Sequence, residues 1–81
     1  MISYRTPRFE RSFRKFPGGV RIAFEKQLGF LLQDIRHPSL RAKKYDESND
    51  IWQARVTVNV RFYFSITESA YIILDIEKHS R

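Results

Sequence analysis

The chain predicts an α+β fold: an N-terminal strand and a two-helix hairpin packed on an antiparallel sheet of three to four strands. Two observations carry the prediction. Apolar residues recur at helical spacing up to about residue 35, and at every second position from Ile51 onward. Each regime is punctuated by turn-forming residues, Pro17-Gly18-Gly19 in the first and Asn59 and Glu68-Ser69 in the second. Helices then segregate to one face of a sheet, the usual solution for runs of helix followed by runs of strand.

Ile2 to Arg5 is a short β-compatible stretch. Thr6 is a good N-cap and Pro7 a good first helical residue. Phe9, Phe13 and Phe16 then fall at i, i+4 and i+7, one face of a short helix, with Arg8, Arg11, Arg14 and Lys15 on its other sides. A second helix is predicted over residues 17–34. Val20, Phe24, Leu28, Leu31, Leu32 and Ile35 lie there within an arc of about 120°. Gly29 inside it costs roughly 1 kcal/mol relative to Ala. Pro38, in Arg36-His37-Pro38-Ser39, cannot continue a helix.

Three strands follow. Trp52, Ala54, Val56 and Val58 alternate with Gln53, Arg55 and Thr57. Val60, Phe62, Phe64 and Ile66 alternate with Arg61, Tyr63, Ser65 and Thr67. Ile72, Leu74 and Ile76 alternate with Tyr71, Ile73, Asp75 and Glu77. Such alternation buries one face of each strand, and short connections make a meander.

Composition bounds the function. The 81 residues make a single domain, 1–81, and 42% hydrophobic content supports a core despite 30% charge. With no cysteine, disulfides, cysteine zinc sites and thiol nucleophiles are excluded. His37 and His79 show no metal-ligand spacing, so no metal or cofactor is expected. No run of about 18 apolar residues and no signal-peptide core are present, so a cytoplasmic location and no membrane partner are expected. A net charge of +6 and a pI near 10.1 point to a polyanionic partner.

Opposed residues of an antiparallel pair share a face, and even-numbered positions are apolar in all three strands. A loop centred on Asn59 then sets Val56 against Phe62, Thr57 against Arg61 and Arg55 against Tyr63. Arg55 and Arg61 become diagonal neighbours on the open face, about 7–8 Å apart, a candidate anion site. The same parity sets Ile66 against Ile72, Phe64 against Leu74, Tyr63 against Asp75 and Arg61 against Glu77. His79 emerges on that face near Asn59. Arg61–Glu77 reads equally as an ordinary cross-strand salt bridge, and His79 as a solvated tail residue. Arg41, Lys43 and Lys44 form the densest basic run, which suits phosphate contact or a charged edge strand. Tyr63 on the open face suits base stacking or proton donation. Trp52 suits core packing and His37 a surface loop. No Gly-rich phosphate loop, G-x-S-x-G or H-E-x-x-H occurs.

Phe9-Glu10-Arg11-Ser12-Phe13, His37-Pro38-Ser39-Leu40-Arg41-Ala42-Lys43-Lys44, Ile51-Trp52-Gln53-Ala54-Arg55-Val56, Arg61-Phe62-Tyr63-Phe64 and Asp75-Ile76-Glu77-Lys78-His79 follow one another along the chain. Together they resemble the RelE/ParE superfamily of bacterial toxins from type II toxin–antitoxin pairs, over nearly the whole length. The resemblance implies a RelE-like fold. It also implies one of two activities: ribosome-dependent mRNA cleavage in RelE-like members, or gyrase poisoning in ParE-like ones. Arg61 matches the arginine before the central aromatic run, His79 the final arginine or histidine, and Arg55 lies near a position that is basic in relatives. Val60 stands where relatives often carry tyrosine. The RelE-like branch is the expectation, with an RNA- or protein-binding module lacking catalysis as the further alternative. In cleavage by 2′-OH attack, Arg55 and Arg61 would clamp charge and His79 would act as general acid, because histidine exchanges protons near pH 7. Tyr63 and Glu77 are the candidates to take the 2′-OH proton. Arg41, Lys43, Lys44 and Tyr63 would hold substrate. The implied partners are a cognate antitoxin, in a toxin–antitoxin hetero-oligomer, and mRNA on the ribosome.

Overall fold

The computed structural model describes residues 1–79. Strand β1 (Ile2–Arg5) leads into helix α1 (Pro7–Arg14) and helix α2 (Gly18–Gln33). A 3-10 turn (Pro38–Leu40) precedes β2 (Lys43–Asp46), β3 (Ile51–Thr57), β4 (Val60–Ile66) and β5 (Ala70–Lys78). The fold is α+β, as the periodicity predicts. Among the described residues the N-terminal strand joins the four later strands in one five-stranded sheet, in the order β1-β5-β4-β3-β2. All neighbours are antiparallel except β1, which lies parallel to β5. Among the described residues no helix is long and apolar enough to cross a membrane.

Local chemistry explains the helix ends. The Thr6 hydroxyl accepts from the Phe9 amide at 3.1 Å and donates to the Leu74 carbonyl at 3.0 Å. One side chain thus caps α1 and ties it to β5. Helix α2 starts after Pro17, whose carbonyl accepts from Val20 and Arg21 amides. It ends at Gln33, just before Asp34 adopts an extended backbone.

The core lies between the helices and one sheet face. Phe9, Phe24, Leu31, Leu40, Phe62, Phe64, Ile73 and Ile76 are its largest fully buried side chains. Phe24 meets Phe62 edge-on with ring centroids 5.1 Å apart, a favoured aromatic geometry. Arg5 spans the rings of Phe9, Phe13 and Phe24 at 5.2–5.7 Å and pairs with Glu25 at 2.6 Å. Leu32, inside the predicted apolar arc, stays exposed at its edge. Gln27 is buried instead. Its amide nitrogen donates to the carbonyls of Ser39 and Arg55 at 3.0 and 2.9 Å, and its amide oxygen accepts from the Ser39 hydroxyl at 3.0 Å. It joins α2, the 3-10 turn and β3.

Two bulges correct the predicted register. In β3–β4, Ala54 opposes Phe62, Arg55 opposes Arg61 and Thr57 opposes Val60, with a shift between Arg55 and Thr57. The tight connection at Val58-Asn59 is accommodated by the extra residue in β3, so Val56 does not face Phe62. In β4–β5, Arg61 opposes Glu77 and Tyr63 opposes Asp75, as expected. Past a second shift, Phe64 opposes Ile73 and Ile66 opposes Tyr71, rather than Leu74 and Ile72. Tyr71 and Ile73 therefore enter the core, while Ile72 and Leu74 are only half-buried.

Candidate nucleic-acid interface

The sheet face opposite the helices carries the charged residues. The bulge in β3 makes Arg55 and Arg61 direct partners, not diagonal ones. Opposed side chains sit about 4.5–5.5 Å apart at Cβ, so two positive charges are held together. The expected Arg61–Glu77 salt bridge does not form, although the two residues oppose each other. The Arg61 guanidinium turns instead to the hairpin end, where one Nη donates to the carbonyls of Thr57, Val58 and Val60 at 2.9–3.2 Å. The turn carbonyls fix its orientation. Arg55 Nε is buried without a hydrogen-bond partner. Burial, then the nearby Arg41 and Arg61 guanidiniums, lower Arg55 from the usual arginine range. Among the described residues no carboxylate pairs with Arg55 or Arg61. Two close arginines, one with an unused buried donor, have the charge and donors that suit an anion.

Tyr63 lies beside them in β4, with the Tyr45 ring 4.8 Å from its own. Burial, then the Glu77 carboxylate, raises the Tyr63 hydroxyl above its ordinary value. The hydroxyl therefore keeps its proton at neutral pH and is available as a hydrogen-bond donor. His79 follows β5; its backbone amide bonds the Asn59 carbonyl at 2.5 Å, which places it at the expected end of the sheet, exposed.

The basic run divides. Lys44 pairs with Asp50 at 2.6 Å and Glu47 at 3.7 Å, and its ammonium lies 5.2 Å from the Trp52 ring. It holds the β2–β3 loop in place. The Asp50 hydrogen bond leads the causes that raise the Lys44 pKa. Lys43 and Arg41 are exposed, Arg41 with a left-handed backbone (φ 47°) just after the 3-10 turn. Trp52 packs on the core beside Phe64, and His37 stacks on Phe30 at 3.8 Å while its Nδ1 accepts from the Ser39 amide. Both are structural.

A trough of about 400 Å³ crosses the same face, lined by Thr6, Arg8, Tyr45, Ile51, Tyr63, Leu74, Asp75 and Glu77. At its α1 end Arg8 Nε meets Asp75 at 3.0 Å. The sequence pattern did not single out Tyr45, Ile51 or Arg8 for this face. The legible signal for Tyr45 was its place two residues after Lys43, hence on the same side of an edge strand. Among the described residues, no three His, Asp or Glu side chains gather to hold a metal ion.

Solved structures of the same architecture are small toxins. A YoeB/ParE toxin from Agrobacterium tumefaciens superposes with a TM-score of 0.82 at 10% identity, over 99% of this chain and 100% of that one. The archaeal RelE of a RelE–RelB complex from Pyrococcus horikoshii gives 0.79 at 14% identity, over 99% and 94%. The isolated E. coli RelE toxin gives 0.76 at 17% identity, over 99% and 85%. The chain therefore has the RelE/YoeB/ParE toxin fold. No family model matches the sequence, and no curated protein does.

Proposed function

We propose that the chain is the toxin of a toxin–antitoxin pair and cleaves mRNA on the translating ribosome. The observation that carries the reading is the Arg55–Arg61 pair, opposed on the open face of a RelE-like sheet with no carboxylate between them. A scissile phosphate fits such a pair. In the proposed step the ribose 2′-oxygen gives its proton to solvent water and attacks the neighbouring phosphorus. The P–O5′ bond breaks, leaving a 2′,3′-cyclic phosphate and a 5′-hydroxyl. Arg55 and Arg61 balance the charge that builds on the phosphoryl oxygens, donating hydrogen bonds and staying protonated throughout. His79 supplies the proton to the leaving O5′. Tyr63, held protonated, donates a further hydrogen bond. Lys43 and Arg41 hold flanking phosphates, by charge and without sequence preference.

Relatives of this fold occur in structures of RelB–RelE complexes. By that likeness, an antitoxin would cover the basic open face or displace the active geometry.

The test is to add purified protein to a reconstituted translation reaction and map mRNA 5′ ends by primer extension, with ribosomes present and absent. New ends only with translating ribosomes support the reading. Intact mRNA in both overturns it and turns attention to gyrase inhibition, as in ParE-like toxins, or to RNA binding alone. In the same reaction His79→Ala should lower single-turnover cleavage about 100-fold, with binding nearly unchanged. Cleavage near the wild-type rate would remove His79 from the mechanism.

A further inference from the structure

The trough beside the arginine pair has a chemistry of its own. Its walls are the tyrosine pair Tyr45–Tyr63 and the apolar Ile51 and Leu74. Its polar groups are unequal. Asp75 is engaged, one carboxylate oxygen accepting from Arg8 and the other from the Ile76 amide. Glu77 is different. It opposes Arg61 in the sheet, yet Arg61 is turned to the hairpin carbonyls, and Glu77 has no ion-pair partner among the described residues. An ionised carboxylate only accepts hydrogen bonds. The Glu77 carboxylate lines the same cleft as the Tyr45 and Tyr63 rings.

We propose that this trough is a nucleobase-reading subsite that selects guanine, with Glu77 accepting from the N1–H and the exocyclic amine while the ring packs on Tyr45 and Tyr63. The proposal rests on the nucleic-acid reading of the face and names its specificity. Guanine alone offers two adjacent donors to one carboxylate. Adenine and cytosine offer one amine beside an acceptor, and uracil one imide N–H between two carbonyls, which a carboxylate repels. Aromatic packing is tolerant of the base, so discrimination comes from the carboxylate. The phosphate of the same nucleotide then lies toward Arg61, the neighbour of Glu77 across β4–β5. In this arrangement Glu77 is a specificity residue and does not take the 2′-OH proton.

Direct titration of the protein with GMP, IMP, AMP, CMP and UMP, followed by calorimetry or amide chemical shifts, tests the subsite without requiring cleavage. GMP should bind about tenfold more tightly than AMP, CMP or UMP, and IMP, lacking the 2-amine, should fall between. Glu77→Gln, which replaces half the acceptor with a donor, should erase the GMP preference while inorganic phosphate binds as before. Tyr45→Ala, an exposed edge residue whose loss leaves the core intact, should weaken all five nucleotides together. Equal binding of the five, absence of nucleotide binding, or an unchanged GMP preference in Glu77→Gln would each overturn the proposal. Guanine selectivity without ribosome-dependent cleavage would retain the subsite and reject the endonuclease. Cleavage with equal nucleotide binding would do the reverse.

Discussion

At the scale of single residues, the open face is shaped by two arginines that the fold holds at a disadvantage. Arg55 opposes a like charge and has a buried Nε without a partner. Its pKa is lowered in the folded chain, so folding disfavours its charged form. Arginine stays protonated at ordinary pH, so this cost is constant there; it is lost only as strongly alkaline pH rises through the folded and then the unfolded pKa. Arg55→Gln should accordingly raise the melting temperature and lower mRNA cleavage about 100-fold. A melting curve and the primer-extension rate, measured on one preparation, check both halves. A variant less stable than the wild type would show that the arginine is not a stored cost. Arg61 was legible in the sequence as a candidate but not its posture. Its guanidinium bonds three backbone carbonyls of a tight turn and forms no ion pair with the carboxylate opposite.

At the scale of elements, helix starts and the phenylalanine face of α1 were readable because caps and periodicity act over a few residues. The buried amide of α2 was not. The bulge in β3 interrupts the ladder beside Arg55, and the Arg55 carbonyl is taken by Gln27, 28 positions away. Gln27→Leu should cost about 2–3 kcal/mol by leaving the Arg55 carbonyl and the Ser39 groups without this partner. Gly29 is the opposite case. It lies in α2, exposed, with nothing within 4 Å of a Cβ placed there. Gly29→Ala should stabilise by up to about 1 kcal/mol through helix propensity. Urea unfolding of both variants, with unchanged slope, is the check. A neutral Gln27→Leu would mean that another donor replaces the amide.

At the scale of the whole molecule, the charge of +6 is not spread evenly in effect. Lys44 is absorbed by the β2–β3 loop, Arg5 by Glu25 and Arg8 by Asp75. Lys43, Arg41 and the arginine pair form no ion pair among the described residues, and neither do Arg11, Arg14, Lys15, Arg21, Lys26, Arg36 and Lys78. Binding of single-stranded RNA should therefore fall steeply with salt. Lys43→Ala should lower the slope of log K against log salt by about one, whereas Lys44→Ala should leave it nearly unchanged and loosen the β2–β3 loop. Equal slopes for the two variants would contradict this division of the basic run.

The sequence by itself determined the α+β class, the order of elements, the phenylalanine core and the pairing of Arg61 with Glu77 and Tyr63 with Asp75. Those features follow from periodicity, caps and the two-residue repeat of a strand, all of which are local. The tertiary structure decided the parallel docking of β1 on β5, the two bulges, and with them the direct opposition of Arg55 and Arg61 and the trough between Tyr45 and Glu77. A bulge shifts every partner beyond it by one residue, and whether it forms depends on a turn's geometry and on buried groups from distant elements. Strand alternation carries no record of that competition.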